Sequence, residues 1–134
     1  MKHCTSLLNT LMNHKYGYVF NAPVNPMALR VPDYFTVITS LMDLGTIKAN
    51  LHDSIYSSPL EFASDVRLTF ANALKYNPAG DVVHKMAKTL SKVFENRWKR
   101  IEKKMAQCSV CQEEHSVLSL TVKKNIYFKF RFFI

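Results

Sequence analysis

Residues 68–87, LTFANALKYNPAGDVVHKMA, decide the fold because one helix ends inside them and the next begins. Apolar residues recur at helical spacing before Tyr76 and again after Asp81, and Pro78 interrupts the pattern between them. Asn77 stands at the interruption, and two interpretations of it are open. It ends the helix, as asparagine often does, or its carboxamide lies at the rim of an apolar pocket and recognises another amide. What the rest of the chain builds around Asn77 decides between them.

Four helices are predicted around this stretch. An apolar stripe that starts at Cys4 indicates the first helix, and Asp43 can cap a short second one. Ser58 and Glu61 have the spacing of a capping box, which predicts the start of the third helix. The fourth keeps a helical period over about six turns. Residues 16–42 hold three prolines and form a long loop after the first helix. The expected fold class is therefore all-α, a four-helix bundle.

Composition limits the functions that are plausible. The 134 residues suffice for one domain with a substantial core, and the net charge of +8 suits an anionic partner. Three cysteines, an odd number without framework spacing, indicate a reducing compartment. We find no secretory signal and no stretch long enough to span a membrane. No nucleophile, base and orienting group converge in the pattern, so an enzyme is not expected.

Four segments carry a resemblance to a known family. They are FNAPVNPMALRVPDYFTVI (20–38), MDLGTIKANL (42–51), EFASDVRLTFANALKYNP (61–78) and DVVHKMAKTLSKVFENRW (81–98). These segments resemble the successive blocks of a bromodomain and are most similar to the plant members of the bromodomain and extra-terminal group. The resemblance implies a left-handed four-helix bundle, here residues 1–107, that reads acetylated lysine without catalysis and without a cofactor. It also implies a nuclear monomer that binds acetylated tails of histones H3 and H4 and links chromatin acetylation to transcription.

The resemblance further implies which residues bind acetyl-lysine. Asn77 matches the asparagine whose amide donates to the acetyl oxygen, and Tyr34 matches the tyrosine that reaches this oxygen through a water. Val83 matches the gatekeeper at the mouth of the pocket. The other expected site residues form the pocket wall, the loop and an apolar shelf: Tyr18, Phe20, Val24, Leu29, Val31 and Tyr76. An apolar slot with one donor suits a neutral amide, whereas burying the ammonium of unmodified lysine there is costly.

Three positions depart from the family pattern. Tyr18 stands where the family usually has a tryptophan, so the apolar shelf is smaller. Leu41 replaces the usual proline before the second helix, and Val82 replaces an acidic residue next to the gatekeeper. We therefore expect weaker peptide contacts beside the pocket and a looser loop. The histidines, His84 among them, are interpreted as surface or core residues.

The charges of the last helix leave a second function open. Basic residues recur along this helix and its end, at Lys85, Lys88, Lys92, Lys99, Arg100, Lys103 and Lys104. They are compatible with a basic module that binds nucleic acid non-specifically while the pocket is vestigial, or with a weak DNA contact beside a working pocket. A solvated helix face is the simpler interpretation of such a run.

Residues 108–134 match nothing in the family, and we expect an irregular tail unrelated to the bundle. This tail is either a disordered end or the product of truncation or alternative splicing, and the sequence leaves these alternatives open. Cys108, Cys111 and His115 have part of a zinc-ligand spacing without a fourth ligand nearby, so no metal site is expected. The last ten residues, NIYFKFRFFI, alternate aromatic and basic side chains, as an exposed strand or a segment at a membrane surface would. We prefer the interpretation of a nonfunctional end, with no membrane partner.

Overall fold

The computed structural model describes residues 1–124, with side-chain surroundings for residues 1–108. The helices are α1 (Lys2–Asn13), α2 (Tyr34–Val37), α3 (Leu44–His52), α4 (Pro59–Tyr76) and α5 (Val82–Lys124), and a 3-10 turn covers Gly17–Val19. Residues 1–124 contain no strand, so the predicted all-α class is confirmed. The four predicted helices correspond to α1, α3, α4 and α5. The chain divides into two compact units, and the first of them is Met1–Trp98.

The core of the first unit is built from the apolar stripes that the sequence shows. Cys4, Leu7, Leu8 and Leu11 of α1 are buried, and so are Leu44 and Ile47 of α3, Phe62, Val66 and Phe70 of α4, and Ala87, Leu90, Phe94 and Trp98 of α5. Phe62 packs edge-on against Phe94, with 6.4 Å between ring centroids, and Trp98 stacks on Phe94 at 5.7 Å. A buried phenylalanine contributes roughly 1.5 to 3 kcal/mol to folding, so these rings fix α4 against α5.

Two predicted helix starts have different outcomes. Asp43 caps α3 as expected, because its Oδ2 accepts from the Thr46 N–H at 3.0 Å. The capping box at α4 is wrong in detail. Ser58 is the N-cap residue, but its side chain makes no capping hydrogen bond, and the Glu61 carboxylate accepts from the N–H of Ser57 at 2.7 Å. The incoming chain thus presents the neighbouring N–H to Glu61.

The loop between α1 and α3 is attached to the helices at both ends. Gly17 lies so close to α1 that a Cβ there would be 2.5 Å from the carbonyl oxygens of Leu11 and Met12. The Asn21 side chain donates to the Met12 carbonyl at 3.1 Å. At the return of the loop, the buried Asn72 of α4 donates to the Ser40 carbonyl at 2.7 Å. The loop is therefore held at its start and at its return.

The expected irregular tail is corrected in its first part. Helix α5 runs for 43 residues and ends at Lys124, so residues 108–124 continue it. No glycine or proline follows Gly80 in the sequence, and nothing in the covalent chain stops the helix near residue 107. The predictions for Cys111, His115 and residues 125–134 lie outside the described side chains or residues.

Candidate functional site

The end of α4 and the start of α5 position Asn77. Helix α4 ends at Tyr76, and Asn77 follows in an extended conformation, with φ −94° and ψ 130°. Its N–H still donates to the Ala73 carbonyl at 3.0 Å. The chain then turns at once, because the Asp81 N–H donates to the Pro78 carbonyl at 2.9 Å and the Asp81 side chain accepts from the Val83 N–H at 2.8 Å. Because this connection is short, Asn77 lies between the end of α4 and the start of α5.

A cavity of about 550 Å³ lies where the long loop meets these helix ends. All nine residues that the sequence predicts for the site line this one cavity: Tyr18, Phe20, Val24, Leu29, Val31, Tyr34, Tyr76, Asn77 and Val83. Phe20 and Tyr34 are buried, while Tyr18 is 71% exposed and Leu29 is 63% exposed. The predicted set is therefore brought together, with an apolar interior and an exposed rim. That these residues bind acetyl-lysine stays a prediction.

The Asn77 carboxamide is oriented by a hydrogen bond to its own helix. Its Nδ2 donates to the Ala73 carbonyl at 2.9 Å. An amide nitrogen carries two hydrogens, so this bond uses one of them and fixes the plane of the group while the second can serve a ligand. The backbone carbonyl of Asn77 also has a partner, since Nδ1 of His84 lies 2.8 Å from it. Asn77 is thus held by contacts to both α4 and α5.

Two tyrosines form the wall next to Asn77. Their rings meet edge-on, with 4.9 Å between the centroids of Tyr34 and Tyr76. The Tyr76 hydroxyl donates to Oδ1 of Asp33 at 2.6 Å, and this hydrogen bond raises the pKa of Tyr76 to about 12. Burial raises the pKa of Tyr34 above its ordinary value. Both hydroxyls therefore keep their hydrogens at neutral pH, and the Tyr76–Asp33 bond ties α4 to the loop.

Local hydrogen bonds also order the loop wall and the part of the cavity lining that Asp43 forms. Oδ1 of Asn25 accepts from the N–H groups of Met27 and Ala28, both at 3.2 Å, and so shapes the turn that leads to Leu29. The buried carboxylate of Asp43 lines the cavity, and its two oxygens accept from the backbone and the side chain of Thr46. The charge of Asp43 is thus already solvated by its own helix.

Sequence reasoning missed several residues of the site. Val19, Ala22, Met42, Asp43, Thr69, Ala73 and Asp81 also line the cavity. Asp33 was visible next to Tyr34, but its bond to Tyr76 joins positions 43 residues apart, which no local pattern reports. His84 was interpreted as a surface or core histidine. The signal for His84 was its place in the first turn of α5, directly after a short turn from Asn77.

The described residues show neither a metal cluster nor a membrane-spanning helix. They contain no group of three or more His, Cys, Asp or Glu side chains suited to a metal ion. None of the helices among these residues is long and apolar enough to cross a membrane.

The chain is a helical bundle in which the long loop, the end of α4 and the start of α5 line a cavity that the Asn77 carboxamide borders. Comparison with family models identifies it further. The family model described as Bromodomain matches residues 4–89 of the sequence, and the chain therefore belongs to the bromodomain family. The resemblance inferred from the sequence is confirmed.

The chain is similar to plant proteins of the same group. Transcription factor GTE9 of Arabidopsis thaliana is 55% identical over 113 residues, which are 84% of this chain and 16% of that protein. Transcription factors GTE10 and GTE11 of the same plant are 56% and 51% identical over 78% and 94% of this chain. The chain spans a fifth or less of the length of these three relatives, covering 10% of GTE10 and 20% of GTE11.

Proposed function

We propose that the chain is a non-enzymatic reader of acetylated lysine, with the acetyl group bound in the cavity that Asn77 and Tyr34 line. The observation that carries this proposal is that the Asn77 carboxamide is held in one orientation at the edge of the cavity. Its orientation is fixed by Ala73 at 2.9 Å, and it borders an apolar cavity of about 550 Å³. A fixed donor beside an apolar slot complements a group that pairs one carbonyl oxygen with a methyl and an alkyl stem.

Selectivity against unmodified lysine depends on the chemistry of the cavity lining. Asp43 is the buried carboxylate of the lining, and both of its oxygens accept hydrogen bonds from Thr46. Asp33 accepts from Tyr76, and Asp81 accepts from the Val83 N–H. Apart from these carboxylates, most residues that line the cavity are apolar, so an ammonium in the slot would lose its water for few new acceptors, which is costly. Acetylation removes that cost.

The biological setting is proposed from the family and from the names of the relatives. We propose that the ligands of this chain are the acetylated tails of histones H3 and H4. Its role would be chromatin-linked control of transcription, and its location the nucleus. Residues 1–107 would be the reader domain, acting as a monomer, with residues 108–134 outside it. The chain spans only 16% of the length of GTE9 and 10% of that of GTE10, so this setting is a proposal for the chain rather than a property carried over from those proteins.

A matched pair of histone peptides tests the proposal. Calorimetry with a peptide acetylated at one lysine and with its unmodified twin should give binding for the first and at least about tenfold weaker binding for the second. The neutral ligand should respond little to salt between 50 and 300 mM, since no ion pair is formed. Equal affinity for both peptides would refute the proposal.

A second candidate function rests on the exposure of the basic residues of α5. Lys85, Lys88, Lys92, Lys99, Arg100, Lys103 and Lys104 are all exposed. Such a run can bind DNA non-specifically, and affinity for DNA should then fall steeply with salt because phosphate contacts release counterions. Changing Lys99, Lys103 and Lys104 to Glu should remove this component and leave acetyl-peptide binding intact. Nucleosomes that bind equally well with and without acetylation would make this the main function.

A further inference from the structure

We infer that His84 is a positioning residue for ligand recognition, acting through the main chain of Asn77. This inference rests on the proposed function of the cavity. The contact joins Nδ1 of His84, in the first turn of α5, to the backbone oxygen of Asn77 at 2.8 Å. A carbonyl oxygen can only accept, so Nδ1 must carry the hydrogen, and the neutral ring is then the Nδ1–H tautomer.

The chain offers little else to satisfy this carbonyl. Asn77 follows the last residue of α4, where helix carbonyls lack their intrahelical partners. In the turn that follows, the Asp81 N–H donates to the Pro78 carbonyl and not to that of Asn77. The half-buried His84 side chain supplies the donor from across the turn.

The consequence for binding is orientation of the Asn77 amide. Two bonds hold Asn77 from α4, the N–H and the Nδ2 that both donate to the Ala73 carbonyl. Neither bond restrains the peptide plane between Asn77 and Pro78, and His84 does. Without it, rotation of this plane can move the Asn77 Cα and tilt the amide hydrogen away from the ligand oxygen. A donor that must be reordered at each binding event gives lower affinity than one that is preorganised.

The same contact ties the recognition residue to the gatekeeper. Val83 lines the cavity and directly precedes His84, and its N–H is fixed by the Asp81 side chain at 2.8 Å. His84 therefore sets the distance between the first turn of α5 and the end of α4. We therefore expect loss of the His84 hydrogen bond to weaken binding of the acetyl group more than binding of the flanking peptide residues.

The test compares two variants of His84 in the full chain. His84→Leu removes the donor but keeps a side chain of similar bulk, whereas His84→Asn places an amide N–H near the position of Nδ1. Titration with a histone peptide carrying one acetyl-lysine should show about tenfold weaker binding for His84→Leu, the effect of one lost hydrogen bond. His84→Asn should restore affinity to within about threefold of wild type, which is a smaller loss than one full bond.

A control variant separates positioning from general stability. Tyr56 donates to Asp65 at 2.6 Å, and neither residue lines the cavity. Tyr56→Phe should lower the melting temperature and leave peptide affinity unchanged. In addition, the ¹⁵N resonances of the imidazole should report the Nδ1–H tautomer in wild type, with or without peptide.

The outcomes are distinct. If His84→Leu binds the peptide as wild type does, if His84→Asn is folded but as weak as His84→Leu, or if Tyr56→Phe weakens binding equally, the inference is overturned while the proposed function stands. A folded wild-type chain that does not distinguish acetylated from unmodified peptide overturns the proposed function and this inference together.

Discussion

Replacing Asn77 by alanine should abolish most ligand binding while the bundle stays folded. The side chain would lose the donor offered to the acetyl oxygen, and a partly buried hydrogen bond of this kind is worth roughly 1 to 3 kcal/mol. That energy corresponds to a loss of about 5- to 150-fold in affinity.

The cost to stability should be smaller and of a different origin. Asn77→Ala also removes the 2.9 Å bond from Nδ2 to the Ala73 carbonyl. A typical hydrogen bond contributes about 0.5 to 1.5 kcal/mol, so the melting temperature of a domain of this size should fall by a few degrees. The backbone N–H of Asn77 keeps its own bond to Ala73, so the end of α4 is retained.

Calorimetry with an acetylated histone peptide and thermal denaturation followed by circular dichroism measure the two effects. Asn77→Asp is the matched control, because aspartate has nearly the same size but an ionised carboxylate only accepts hydrogen bonds. It should bind as weakly as Asn77→Ala, which would show that the donor rather than the volume matters. A folded Asn77→Ala that keeps affinity within twofold of wild type would place recognition elsewhere.

Three further predictions follow from the rim, the wall and the chain end. Tyr18 is 71% exposed at the cavity rim, so Tyr18→Trp should tighten peptide binding by enlarging the apolar shelf, and calorimetry showing unchanged or weaker binding would contradict this. The Tyr76 hydroxyl has its pKa raised to about 12, so its bond to Asp33 stabilises the fold fully below pH 10 and is lost as pH rises through 12. The excess melting temperature of wild type over Tyr76→Phe should shrink across that window, and a constant difference would mean that the bond does not titrate. Deleting residues 108–134 should shift the melting temperature by less than about 2 °C, since the core and cavity described here lie within Met1–Trp98. A large loss of stability after the deletion would show that these residues support the bundle.

The parts of the structure that depend on local pattern were predictable. The buried faces of α1 and α5 follow the period of Cys4, Leu7, Leu8 and Leu11 and of Leu90, Phe94 and Trp98, because burial selects side chains by spacing. Asp43 was found because a cap acts on the next three residues of its own helix. The nine residues around the cavity came from the family resemblance, and spacing alone would not have grouped them.

The parts that depend on pairing across the chain were not predictable. The Glu61 carboxylate could accept from the N–H of either Ser57 or Ser58. The path of the chain before α4 brings the N–H of Ser57 to it. The bond between Tyr76 and Asp33 needs the loop to be folded first. The length of α5 was not predicted for another reason: the composition changes near residue 107, but no helix-stopping residue lies there.

The close approach of the start of the loop to the helices limits which positions near the cavity can be changed. A Cβ on Gly45 would collide with the backbone carbonyl of Asn21, as one on Gly17 would with α1. A side chain at either glycine would therefore push the loop and the helices apart. Leu29 and Tyr18, both exposed on the rim, can be shortened without touching those attachments. If the cavity binds acetyl-lysine as proposed, substitutions that admit longer acyl groups are therefore expected at this rim and not at the two glycines.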